Sequence, residues 1–159
     1  MVALWRRPDA CRSGGAVAEA IVKKRLDVSA SRLWKLVADF AEVSWMPGVE
    51  AEIHGEGPGM VRVLGDGDSG VHERLESLDE AQRRLVYTIP RNNPLPLASY
   101  RATMVVSEVG DGAELRWSCE FEPKDVTEEQ ARAAVEGIYG TMIGWISDHL
   151  GARTGATPR

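Results

Sequence analysis

The stretch from Ala113 to Leu150, AELRWSCEFEPKDVTEEQARAAVEGIYGTMIGWISDHL, changes its hydrophobic period midway, and that change decides the fold. In its first part Leu115, Trp117, Cys119 and Phe121 alternate with Glu114, Arg116, Ser118 and Glu120. Alternation with period two marks a strand with one face in the core. Pro123 ends it. Thr127-Glu128-Glu129-Gln130 then has the form of a capping box, in which the Thr and Gln side chains satisfy backbone N–H groups at a helix start. From there Ala131, Val135, Ile138, Met142, Trp145, Ile146 and His149 fall in one stripe at the helical period. The pattern predicts an amphipathic helix from about Thr127 to Leu150, roughly six to seven turns long. A one-faced strand followed by a one-striped helix predicts an α+β fold, with the helix covering the sheet.

Working back, the same alternation recurs in short segments separated by turn residues. They run over 49–54, 60–64, 71–78, 84–89 and 99–109, punctuated by Gly57-Pro58-Gly59, Gly65-Asp66-Gly67, Asp79-Glu80, Asn92-Asn93-Pro94 and Gly110-Asp111-Gly112. Strands at this spacing read as an antiparallel meander. Before them, 16–28 alternates as a first strand, and Ser29 can cap a helix carrying Leu33, Leu36, Val37 and Phe40 on one face. A second short helix is expected over 41–45, before Pro47-Gly48. The reading is thus a curved seven-stranded antiparallel sheet around a long C-terminal helix, with two short helices after the first strand. Residues 1–15 and 151–159 read as flexible tails, and 16–150 as one domain.

The chain has 159 residues, enough for one domain with a sizeable core. Its 19 Lys+Arg against 24 Asp+Glu give a net charge of −5, which argues against nucleic acid as the main partner. No apolar run approaches the ~18 residues of a membrane span. Cys11 and Cys119 make no disulfide framework, so both read as free thiols in a reducing cytoplasm. His54, His72 and His149 match no metal spacing, and no cofactor is expected.

Alternation also assigns faces. Tyr100, Ala102, Met104 and Val106 should point inward, as should Leu85, Tyr87 and Ile89, and Val71, Glu73 and Leu75. Glu73 is then a lone carboxylate on an apolar face, which is costly unless it is protonated, paired or solvated by a ligand cavity. Arg62 is a candidate partner, although the pattern leaves its face open. One reading of the two is a structural ion pair; the other is a polar anchor in a cavity, with the Tyr87 and Tyr100 hydroxyls nearby. On the long helix Gly137, Gly140 and Gly144 cluster with Ala133 opposite the apolar stripe. That smooth face reads either as tolerated surface glycines or as a seat for a partner helix, a homodimer included.

This element order, together with Val28-Ser29-Ala30-Ser31-Arg32-Leu33-Trp34, Gly59-Met60-Val61-Arg62, Glu73-Arg74-Leu75-Glu76, Pro96 to Ala102 and Trp117 to Pro123, resembles the START-like, birch-pollen-allergen-like helix-grip superfamily, and within it the polyketide cyclase/dehydrase branch. The resemblance implies a cavity between sheet and long helix that binds a hydrophobic, polyketide-like or lipid-like small molecule. Its lining would be Trp45, Met46, Glu73, Tyr87, Tyr100, Trp117, Phe121, Ile138, Met142 and Trp145, with a mouth built from the 65–70 and 91–97 loops. Plant abscisic acid receptors are distant relatives, but Gly65 to Gly70 lacks their Ser-Gly-Leu-Pro gate. Were the chain an enzyme, it would be a cyclase, aromatase or dehydratase with Glu73 and Arg62 as the catalytic pair and the tyrosines polarising a carbonyl. A third possibility is an interaction module using the glycine face of the helix.

Overall fold

The computed structural model describes residues 17–152. The expected tail 1–15, Cys11 and residues 153–159 lie outside that range. The described chain forms β1 (Ala18–Leu26), α1 (Ala30–Ala38), β2 (Ala51–His54), β3 (Val61–Leu64), β4 (Val71–Asp79), β5 (Arg84–Arg91), β6 (Leu97–Val109), β7 (Gly112–Pro123) and α2 (Glu128–Leu150). All seven strands join one antiparallel sheet in the order β1-β7-β6-β5-β4-β3-β2. Consecutive strands from β2 to β7 are neighbours, and β1 returns beside β7. β1 and β2 therefore lie on opposite edges, and α1 with the loop after it makes the crossing.

The caps form as the sequence predicts. The Ser29 side chain accepts from the Arg32 N–H at the start of α1. Thr127 and Gln130 complete the capping box of α2, and Gly151 ends that helix in the left-handed conformation at φ 68°. The second short helix expected over 41–45 is instead a pair of turns, with the amides of Glu42 and Met46 bonded to the carbonyls of Asp39 and Val43. Pro47 lacks an N–H and leaves too few residues to offset helix nucleation. A single 3₁₀ turn, Gly67–Ser69, sits between β3 and β4.

The stripe of α2 is rotated from the expected one. Ala131, Val135, Tyr139, Ile143, Ile146 and Leu150 are buried against the sheet, stepping by four or three residues. Ile138, Met142 and Trp145 lie on its flank and are half-buried, while His149, one turn further along that flank, is exposed. This helix packs on β1 and β7, while α1 packs on β6 and β7; Ala102, Met104 and Val106 of β6 and Leu115, Trp117 and Cys119 of β7 are buried on the inner face.

Two irregularities of opposite sense interrupt the β4–β5 ladder. His72 pairs with Arg91 but Arg74 with Thr88, which leaves an extra residue on β5; Leu75 pairs with Tyr87 but Ser77 with Val86, which leaves one on β4. Bulges bend the bulged strand and increase its twist. Here they flank Arg74 and Leu75, next to Glu73 and Tyr87, which border an open space between the sheet and α2.

Candidate functional site

That space is a cavity of about 350 Å³ between α2, the 46–50 loop and strands β3 to β6. The size falls within the range of small-molecule pockets, ~300–1,000 Å³. Leu64, Val71, Ile89 and Leu95 supply apolar wall, and the exposed Glu50, Gly65 and Pro94 mark its mouth. The mouth loops are tied together, because the Asn92 side-chain amide donates to the carbonyls of Asp68 and Gly70, both at 2.8 Å.

Seven of the residues expected to line a cavity do so: Met46, Glu73, Tyr87 and Tyr100 from the loop and sheet, and Ile138, Met142 and Trp145 from the helix. Trp45, Trp117 and Phe121 do not. Trp45 precedes Met46 in a turn, and the two side chains diverge; Trp45 borders a separate void of about 10 Å³, room for one water at most. Trp117 borders the same void and is screened from the large cavity by Tyr139, stacked on it at 4.7 Å between ring centroids. Phe121 is fully buried on β7, the strand on which α2 packs together with β1.

Arg62 faces inward. It stands directly across from Glu73 in the β3–β4 register, and its Nε donates to Glu73 Oε1 at 2.7 Å. Its Nη1 donates to the Phe40 carbonyl at 2.8 Å, and the guanidinium lies 4.0 Å from the centroid of the Phe40 ring. Both partners are buried, Arg62 at 7% and Glu73 at 8% exposure. The desolvation of two buried charges is offset only when geometry and extra hydrogen bonds are good, and this pair has both. The two residues divide the space: Glu73 lines the large cavity, whereas Arg62 lines the small void behind it.

The inner wall of the cavity carries a chain of hydroxyls. Trp117 Nε1 donates to the Tyr87 hydroxyl at 3.2 Å, Tyr87 and Tyr100 share a bond of 3.1 Å, and the Tyr100 hydroxyl bonds that of Tyr139. Burial raises the pKa of all three phenols well above the ordinary value of 10; the negative charge of Glu73 adds to this at Tyr87, and the neighbouring phenols add to it at Tyr100. Burial likewise pushes the Cys119 thiol up to about 11. Near neutral pH the phenols are therefore hydrogen-bond donors and weak acids, not bases.

Besides the apolar wall residues Leu64, Val71, Ile89 and Leu95, sequence reasoning missed one member of the hydroxyl chain, Tyr139. The signal was present, since Tyr139 lies four residues after Val135 and four before Ile143. The expected stripe ran instead through Ile138 and Met142, which are more apolar but sit beside the true centre.

A curved antiparallel sheet wrapped on one long helix, with a cavity between them, defines a helix-grip protein. The chain belongs to the polyketide cyclase / dehydrase and lipid transport family, whose model matches residues 18–146. Among solved structures it is similar to an uncharacterized protein from Bacillus thuringiensis, at 27% identity and a TM-score of 0.73, over 83% of this chain and 98% of that one. It shares its fold with Ara h 8.0201, at 20% identity and a TM-score of 0.68, over 84% and 97% of the two chains. The same holds for truncated norcoclaurine synthase from Thalictrum flavum, at 18% identity and a TM-score of 0.66, over 85% and 94%. No curated protein sequence matches the chain. Among the described residues, no helix is long and apolar enough to cross a membrane.

Proposed function

We propose that this protein binds an apolar small molecule, polyketide-like or lipid-like, bearing an oxygen that accepts hydrogen bonds. The observation that carries this reading is an apolar-walled cavity of about 350 Å³ with neutral phenol hydroxyls on its inner wall. The hydroxyl chain is directional. Trp117 can only donate, so the Tyr87 oxygen accepts, and the protons of the three phenols remain to be distributed along the chain. Reversing the chain frees a phenol proton for a ligand oxygen at no loss in the number of bonds. The bound oxygen would be a carbonyl or ether rather than a carboxylate, because a second anion beside Glu73 would be repelled. Norcoclaurine synthase, whose fold this is, has been solved with dopamine and hydroxybenzaldehyde, aromatic molecules of suitable scale. The test is native mass spectrometry of protein purified from its source. A co-purifying molecule of this class supports the proposal; a ligand lacking any acceptor oxygen contradicts it.

A second reading, catalysis of cyclisation or dehydration, is favoured by the placement of Glu73. One carboxylate oxygen is held by Arg62 while the residue lines the cavity beside the phenols. A carboxylate base and a phenol donor on one bound ketone are the parts such a reaction needs. Glu73→Gln that binds ligand normally but loses the wild-type turnover would support this reading, and a wild-type protein that binds such a ketone without converting it would favour the binding role alone.

A further inference from the structure

The outer face of the sheet, turned away from α2, carries a second concavity of about 220 Å³. Strand register builds it in three rows. Lys23, Arg116, Val105 and Arg84 stand side by side in the first; Ile21, Ser118, Thr103 and Val86 in the next; Glu19, Glu120 and Arg101 in the third. A row of hydroxyls thus lies between arginines on both sides. Arg84 and Arg116 are two strand spacings apart, about 10 Å at the backbone, a gap that long guanidinium side chains can close.

Among the described residues, none of Arg84, Arg101 and Arg116 makes an ion pair; Arg25, Arg32 and Arg91 make none either, whereas Arg62, Arg74, Arg83 and Arg132 each do. Ser118 is only 4% exposed and lines the groove. Its hydroxyl is approached by Arg116 Nη1 at 3.5 Å, the outer limit of a hydrogen bond, and among the described residues its own proton has no acceptor. A buried donor left without an acceptor is costly. The groove therefore offers guanidinium and hydroxyl donors together and calls for a multiply accepting anion. Three arginines line the groove against the carboxylates of Glu19 and Glu120, a surplus of one positive charge that suits a small anion and is far smaller than nucleic acid would require.

We propose that this groove binds a phosphoryl group, with Arg84, Arg101 and Arg116 as fork-shaped donors and the Ser118 hydroxyl between them. Tetrahedral phosphate oxygens match planar guanidinium forks, which a single-point anion cannot. The group could be carried by a soluble phosphorylated molecule or by a phospholipid headgroup.

The experiment titrates inorganic phosphate into the full chain, with chloride at matched ionic strength as control, and follows the arginine Nε–H signals by NMR. The expected result is a saturable shift of the three arginines that chloride does not reproduce. R101Q/R116Q should weaken it on the order of tenfold or more, as loss of charged hydrogen bonds implies. S118A, which leaves every charge in place, should weaken it several-fold if the hydroxyl is a donor. R74Q, on the same face but paired with Glu76, should leave it unchanged. Sedimentation with phosphatidic acid vesicles that free phosphate competes away would assign a lipid headgroup, and phosphate binding without sedimentation would assign a soluble molecule. No saturable shift, an equal response to chloride, or a shift that survives R101Q/R116Q overturns the proposal.

Discussion

Raising the pH should unfold this protein and ionise its tyrosines in one step. The chain has three tyrosines, and all three form the hydroxyl chain of the cavity. In the unfolded chain a phenol ionises near pH 10; in the fold burial holds each well above that. Between those values the unfolded state has released protons that the folded state keeps, so the phenols cost no stability below about pH 10 and an increasing amount as pH rises further. A phenol that stays protonated in the fold contributes a loss of about 1.4 kcal/mol at pH 11, and the loss grows as pH rises further. Cys119, at about 11 against 9 for a free thiol, adds about 2 kcal/mol at pH 11 by the same relation. Three such phenols and the thiol together remove a large part of a domain's stability of ~5–15 kcal/mol. Tyrosinate absorbance should therefore stay flat above pH 10, then rise together with loss of the circular dichroism signal, at about pH 11 to 12. Gradual tyrosinate formation centred near pH 10 with the fold intact would refute the argument that the three hydroxyls are buried and bonded to one another.

Glu73→Gln leaves the Arg62 charge buried with only the Phe40 carbonyl and ring for company, and should cost about 3 kcal/mol. In thermal melting that is a drop of about 10 °C, while the double replacement Arg62→Met/Glu73→Leu should melt close to wild type. Tyr100→Phe removes the middle hydroxyl, leaves Tyr87 and Tyr139 each one partner short, and should cost about 1–3 kcal/mol in urea unfolding. Gly70→Ala would put a Cβ 2.7 Å from Val63 Cγ1 and 2.9 Å from the Leu64 carbonyl oxygen, so it should lower the melting temperature and disturb the cavity mouth. Of the described tryptophans, Trp145 alone lines the large cavity; Trp145→Phe should remove the ligand-induced emission change, and Trp34→Phe should keep it.

The strands and the long helix were legible because each carries a clean period with chemical punctuation. The alternation of β7 places Leu115, Trp117, Cys119 and Phe121 inward, and the capping box marks the start of α2 to the residue. The inward turn of Glu73 was readable for the same reason. The face of Arg62 was not, since Met60 and Leu64 on one side and Val61 and Val63 on the other are equally apolar; the register against Glu73 resolves it. Cavity and core could not be separated by hydrophobicity, because both want the same residues. Met46 and Trp45 are neighbours of similar character, and only the turn at 43–46 sends one to the cavity and the other elsewhere. The bulges beside the cavity are also silent in the pattern, since each shifts the ladder by one residue without altering composition.

The most direct test of the cavity's role is titration with an apolar aromatic ketone such as 2-acetylnaphthalene, followed by Trp145 emission, in the wild type and in Met142→Trp. The larger side chain at position 142 fills the space between α2 and the 46–50 loop while leaving the buried stripe of the helix untouched. Saturable one-to-one binding in the wild type, weakened tenfold or more in a normally folded Met142→Trp, is the predicted result; binding of equal strength in both proteins would place the ligand outside the cavity and contradict the account.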